Sequence, residues 1–463
     1  MSVAGERVTS AGPLFGEAEL RRIAHDALRQ TDGDAAEAVI VARTGGLTRF
    51  ANAAIHQNVA SLEATLRVRV ARGTRVATQA TDRLDPEGVR AVARSASELA
   101  RLVPENPQFA GLPAPRPIPP APTAFAERTA SASPLDRAKA AKLVCDPARA
   151  KKLRAAGFVS TNVQEIAIAS TLGTWAYSPE TTSEVQIAAI GDAGSAFAHR
   201  VALDFDALDV RGAADEAISK AVRAQGPREL AAGEYEVVLE PYCVRDIVGF
   251  LGQQLTGLAV EEGRSFVGGR LGQRVTGPVT LVDDPFDPSG LARAFDFEGQ
   301  PSDRLALIED GVARAVVYDS GTAHRTGNRN TGHALFPNAF APASAMHLRL
   351  EAGTKTREEL IRGVKRGVLV TRFWYTRWVH QLRTIVTGMT RDGTFAIEDG
   401  EIAYPVKNFR FTQSYHEALA GVRGIGRDLE LLLPADAFGI QAASQRVPAL
   451  HLASFAFTGV TAH

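Results

Sequence analysis

Apolar positions along the chain follow two periods, and the switches between them mark the elements. Leu20, Ile23, Ala24, Ala27 and Leu28 fall on one face of an amphipathic helix. Residues 37–42 (EAVIVA) then read as a strand, and 62–70 (LEATLRVRV) alternate throughout. Leu62, Ala64, Leu66, Val68 and Val70 lie on one side, and Glu63, Thr65, Arg67 and Arg69 on the other. Asp85 to Leu102 returns to helical spacing, as does Asp136 to Leu153. Between them, Pro104 to Pro134 holds nine of the 24 prolines, whose fixed φ and missing amide proton exclude regular structure. From Gly157 to Val210 short alternating strands broken by Gly173, Gly191 and Gly194 predict a meander of hairpins. A helix over Ala213 to Ala224 stops at Gly226-Pro227.

The second half opens on a short apolar run followed by EPYCVRDIVGFLGQQL, residues 240–255. Val244, Ile247, Val248, Leu251 and Leu255 make one stripe, and Pro241 stands where a helix begins. Further on, VTLVDDP, ARAVVYD and MHLRLEAGT read as strands. Thr356 and Glu359 form a capping box for a helix over Arg357 to Arg366. Asp392-Gly393 and Asp399-Gly400 are tight-turn signals on either side of a short strand. The pattern predicts an α+β protein. Its N-terminal α/β half combines a mixed sheet with helices, and its C-terminal domain is mostly antiparallel β with a few helices. The units are an N-terminal α/β segment (1–103), a proline-rich connector (104–135), a middle α+β segment that completes the first half (136–228) and the β-rich domain (229–463).

A chain of 463 residues, 45% hydrophobic and 22% charged, supports more than one core. The 52 basic and 52 acidic side chains cancel, so nothing favours a nucleic-acid or anionic-membrane partner. No apolar run reaches the ~20 residues of a membrane span, and no secretory leader is visible. Cys145 and Cys243 are too few for a disulfide framework, which suits reduced thiols in the cytoplasm.

Helix 241–255 is a natural mount for two zinc-binding histidines one turn apart. It has none: no histidine occurs between His199 and His324, and its polar positions, Arg245, Asp246, Gln253 and Gln254, read as the solvated face of a packing helix. Cys243 sits just inside the helix N-terminus, where the dipole favours a thiolate, although an inert buried cysteine is the commoner case. His416-Glu417 has no second histidine at 420 or 421 and is a chance dipeptide. The loop HRTGNRNTGH, with His324, Asn330 and His333, offers backbone amides for substrate contacts or simply joins two strands. Asp283, Asp284, Asp296 and Glu298 lack the spacing of a hard-cation site and read as turns and solvated edges. Gly268, Gly269 and Gly272 lack the Lys-Ser/Thr of a phosphate loop.

Several segments in one order resemble the TldD/PmbA family, also called modulators of DNA gyrase. They are VEEGRSFVGGRLGQRV, FDFEGQPSDRLALIEDGV, NRNTGHA, AGTKTREELIRGVKRGVLVT and DGTFAIEDGEIAYPVKNFRF, with GGLTRFANAAIHQNV near the start. In the TldD branch the helix after the domain junction carries His-Glu-x-x-x-His, and a cysteine near the C-terminus completes a zinc site. Here Tyr242 to Asp246 occupy that region, and the closing segment ADAFGIQAASQRVPALHLASFAFTG has no cysteine. The resemblance therefore implies the PmbA-like or TldE-like branch. Its expected role is that of a metal-free subunit beside a TldD-like zinc peptidase, enclosing a cavity where unfolded peptides are cut. No cofactor is expected in this chain, zinc is expected in the partner, and no catalytic residue is expected. Cys243, His324, Asn330 and His333 are the candidates for lining a cavity. The alternatives are a stand-alone hydrolase using Cys243 or the His324–His333 loop, and a protein-binding modulator without activity.

Overall fold

The computed structural model describes residues 12–336, 341–434 and 443–461. The first half contains α1 (Glu17–Arg29), β1 (Ala35–Ala51), β2 (Ala54–Arg72), β3 (Arg75–Thr81), α2 (Pro86–Leu102) and the single turn α3 (Glu127–Ala130). It continues with α4 (Pro134–Ala150), β4 (Arg154–Ser170), β5 (Trp175–Ile190), β6 (Ser195–Ala202) and α5 (Val210–Arg223). Its strands form one six-stranded sheet, in the order β3-β2-β1-β4-β5-β6. The helices lie on one face. Leu20, Ile23 and Val92 of α1 and α2 pack on Ile40, Leu66 and Val68, while Val144 and Ala217 of α4 and α5 pack on Val159, Val185 and Ile187. Leu66, Val68 and Val70 are buried and Glu63 is exposed, as the alternation of 62–70 requires.

The second half contains β7 (Gly233–Leu239), α6 (Pro241–Gln254), α7 (Gly257–Glu261), β8 (Leu281–Asp283), β9 (Leu305–Glu309), β10 (Val312–Ala313) and α8 (Ser320–Thr326). Next come β11 (His347–Leu350), α9 (Arg357–Arg362), β12 (Arg366–His380), β13 (Ile385–Glu398), β14 (Glu401–Pro405) and β15 (Phe409–Ser414). The last elements are α10 (Tyr415–Ala420), β16 (Val422–Ile425), β17 (Glu430–Leu432), β18 (Ser444–Val447) and β19 (Leu450–Val460). One sheet runs β10-β9-β8-β11-β18-β17; in the other, β12-β7-β19-β15-β13, strand β13 pairs back onto β12 and closes a ring of five. Phe373, Phe409, Phe411, Phe455 and Phe457 stack inside it, with centroids 4.5–5.5 Å apart between neighbours. Helix α6 lies between the two sheets, in the same core.

The α+β class holds, with some details revised. The first sheet is antiparallel throughout, and parallel pairs occur in the second half, β7 with β12 and β11 with β18. The meander strands are longer than predicted, but they turn at the predicted places, β4 into β5 around Gly173 and β5 into β6 between Gly191 and Gly194. ARAVVYD yields only the end of β10, since Val316 and Val317 are buried in a loop against α6 and α7. Helix α9 begins at its predicted capping box but stops before Gly363, as Arg366 already belongs to β12. Asp399-Gly400 makes the expected turn between β13 and β14. Asp392-Gly393 does not: it bulges inside β13 opposite Thr371, both residues at positive φ.

Candidate functional site

Helix α6 starts immediately after β7, with Glu240 as N-cap and Pro241 in the first turn. The predicted stripe of Val244, Ile247, Val248, Leu251 and Leu255 is fully buried. The predicted solvated face is absent: Tyr242, Asp246, Phe250 and Gln254 are buried as well, and Gln253 is the exposed polar position. Tertiary partners account for the difference. Asp246 accepts hydrogen bonds from Thr376 Oγ1 and Tyr415 Oη, both at 2.7 Å. Tyr242 Oη accepts from Arg200 Nη1 at 2.9 Å and lies 3.3 Å from Glu216.

Cys243 has no exposed surface, and its Sγ lies 3.5 Å from the Val370 carbonyl. Burial pushes the thiol well up, and the carboxylates of Glu240 and Asp246 push it further. The helix dipole is worth too little to offset full desolvation, so the thiol stays protonated.

At the N-terminus of α6 a cleft of about 410 Å³ is lined by Glu216, Lys220, Arg223, Glu240, Lys355 and Arg357 among others. Glu240 is buried beneath it and divides its oxygens between Lys220 and Arg357, the latter at 2.6 Å. Burial alone would raise its pKa, but the two cations outweigh burial and hold it low. The cleft thus joins α5, α6 and α9 through alternating charges.

The loop candidates do not converge. His324 is exposed on α8, while Asn330 accepts from the Gly332 amide at 2.8 Å, a turn contact. His333 is buried, with Nδ1 2.8 Å from the Thr331 carbonyl and Nε2 3.5 Å from Asp283 Oδ1. Burial lowers its pKa, but Asp283 reverses the shift, and the net direction is up. His347, whose amide donates to Asp283 at 3.3 Å, is lowered by burial to about 4. Asp296 accepts from the amides of Glu298, Gln300 and Ala334 at 2.8–2.9 Å. Its pKa rises through burial and the neighbouring Glu298. The void beside His333, His347, Asp296 and Arg293, about 10 Å³, holds at most one water.

Asp283, Asp284, Asp296 and Glu298 are therefore interior groups, and their expected exposure at turns is overturned. Their partners, His333, His347 and Arg69, come from distant parts of the chain, so no local signal reveals the network. His416 is a packing residue, 5.3 Å from the Phe266 ring. The closing-segment residues 435–442 lie outside the described residues.

The donors on α6 do not fit zinc. Cys243 is the single sulfur and is wholly buried with its Sγ against the Val370 carbonyl, Tyr242 and Asp246 are committed to protein partners, and no imidazole projects from the helix. Among the described residues, no three His, Cys, Asp or Glu side chains are grouped so as to hold a metal ion. No helix among them is long and apolar enough to cross a membrane.

Residues 232–459 match the family model for the PmbA/TldA metallopeptidase C-terminal domain, and residues 115–225 match that for the central domain. A protein named metalloprotease from Methanothermobacter thermautotrophicus is 28% identical over 229 residues, covering 46% of this chain and 47% of the relative. Metalloprotease PmbA of Escherichia coli O157:H7 is 24% identical over 208 residues, 44% of this chain and 43% of the relative. The matched region spans about half the length of these curated relatives. TldE from Thermococcus kodakarensis superposes with a TM-score of 0.85 at 19% identity, covering 95% of this chain and 100% of that one. A putative modulator of DNA gyrase from Thermotoga maritima gives 0.80 at 19% identity, covering 92% and 96%. At such identities the likeness establishes the fold.

Proposed function

This chain belongs to the PmbA/TldD metallopeptidase family, and from that premise we propose that it is a TldE-like, metal-free subunit of a heteromeric peptidase. A TldD-like partner supplies the zinc and the general base. This chain closes the cavity in which unfolded peptides are cut. The observation that carries the reading is the state of α6: it bears no histidine, and each donor between Tyr242 and Asp246 is buried and held by another part of the protein. Without a set of side chains on α6 to hold a metal that polarises a carbonyl and activates water, the chain lacks the means to run metallopeptidase chemistry alone. A stand-alone cysteine hydrolase finds no support, because Cys243 is buried and not ionised. Two free, buried thiols suit a reducing cytoplasm.

The test is co-expression with a TldD-like protein from the same source. The expected result is one complex in size-exclusion chromatography that cleaves unfolded peptides and carries zinc in the partner only. Stoichiometric zinc in this chain purified alone, or no complex with the partner, would refute the proposal.

A further inference from the structure

The β12–β13 hairpin presents a surface beside α6 that the fold itself does not cover. Beyond Val370, β12 leaves β7, and among the described residues no other strand than β13 pairs with Arg372–His380. Trp374, Tyr375, Val379 and Leu382 are exposed at 43%, 63%, 57% and 47%. No other Phe, Tyr or Trp among the described residues is exposed to this degree. Isolated exposed apolar residues are ordinary, but four within nine residues, two of them aromatic, make a patch.

The patch is positively charged, and arginines lie against its rings. Trp374 is flanked by the guanidinium groups of Arg372 and Arg391, at 4.8 and 4.9 Å from its ring, and Arg377 lies 4.1 Å from Tyr375. Tyr375 sits at φ 56°, inside a bulge between Trp374 and Arg377. A bulky residue takes that left-handed conformation only under constraint, and the bulge aims its ring outward. From Phe373 to Arg391 there are three arginines and no acid, in a chain whose charges otherwise balance. The next carboxylate, Asp392, is already bound by Arg372.

Trp, Tyr and Arg are the residues that dominate binding energy in protein interfaces. Nucleic acid is the poorer occupant, because the guanidinium groups cover the ring faces on which bases would stack. The hairpin is also tied to α6: Thr376 bonds Asp246, and Trp378 Nε1 donates to Gln253 at 3.0 Å. We infer that this hairpin face is the docking surface for the metal-bearing partner subunit, and that it meets an apolar hollow rimmed by carboxylates. The inference rests on the heteromeric reading above.

The test measures the affinity of the purified partner for this chain and for two double variants, Trp374→Ala with Tyr375→Ala, and Arg377→Glu with Arg383→Glu. Circular dichroism verifies that both are folded, and the charge variant alters exposed side chains only. Each variant is expected to weaken binding roughly 100-fold. The loss in the charge variant is expected to shrink as salt rises. If wild type forms the complex and both variants bind within about threefold of it, the docking inference fails and the subunit reading stands. If wild type forms no complex, both fail. A single-stranded oligonucleotide of ~20 nucleotides that binds wild type, and loses binding in the variants while the protein complex is unaffected, overturns the inference in favour of nucleic acid.

Discussion

Replacing Glu240 with Gln removes a charge while keeping the volume, and the structure sets the size of the effect. Glu240 is 2% exposed and serves Lys220 and Arg357 together. In the variant Lys220 keeps Glu216 at 2.7 Å, but Arg357 keeps only Glu358 at 3.9 Å. Removing one partner of a buried ion pair costs about 3–5 kcal/mol. The Arg357 side chain is 35% exposed to the cleft, so water takes up part of the loss, and the expected cost is about 2–3 kcal/mol. The sign with pH follows from the depressed pKa: the stabilisation is complete above the ordinary glutamate value of 4.5 and is lost as pH falls toward the lower folded value. Denaturant unfolding of Trp175→Phe and of Trp175→Phe with Glu240→Gln, followed by the fluorescence of the remaining Trp374 and Trp378 in the same half of the chain, measures the difference. A gap below about 1 kcal/mol at pH 7, or one that stays constant from pH 7 to well below pH 4.5, would refute the account.

Two further outcomes are expected. Cys145 and Cys243 are both buried, so a thiol reagent should leave the native protein unlabelled over minutes and label two thiols per chain after denaturation; fast native labelling of Cys243 would contradict its placement. His347, lowered by burial from 6.5 to about 4, stays neutral in the fold while the unfolded chain takes up a proton. Its share of stability is therefore present above pH 6.5 and falls by roughly 3 kcal/mol on descending to pH 4. His333, shifted upward, opposes this. His347→Asn should flatten the stability profile between pH 6.5 and 4, and an unchanged slope would count against the assignment.

Local pattern and tertiary context divide what is legible in the sequence. The stripe on α6, the alternation of β2 and the capping box of α9 follow from spacing alone, and each appears in the structure. The burial of the remaining faces of α6 is not legible, because Asp246 is satisfied by Thr376 and Tyr415, 130 and 169 residues away. Long separations in the chain likewise hide Asp283 from His333 and Glu298 from Arg69. Polar residues in those segments resemble turns until their partners are known. Asp392-Gly393 misleads for a different reason: a bulge and a turn both require positive φ, and only the opposite strand distinguishes them. The exposure of Trp374 and Tyr375 on the hairpin is equally a matter of tertiary context, since it follows from β12 outrunning β7.

The closure of the five-strand ring also fixes an order of events during synthesis. Strand β19, the last of the described elements, inserts between β7 and β15, more than 200 residues after β7 has left the ribosome. The first sheet needs nothing beyond β6 to pair all its strands, so it can assemble early. The phenylalanine-rich strands of the ring must wait, with β7 unpaired on one edge, until the final strand arrives. Pairings this remote in sequence form slowly and leave apolar edges open in the meantime. Chains truncated before Leu450 are therefore expected to retain a folded first half while the second half is held by chaperones or aggregates.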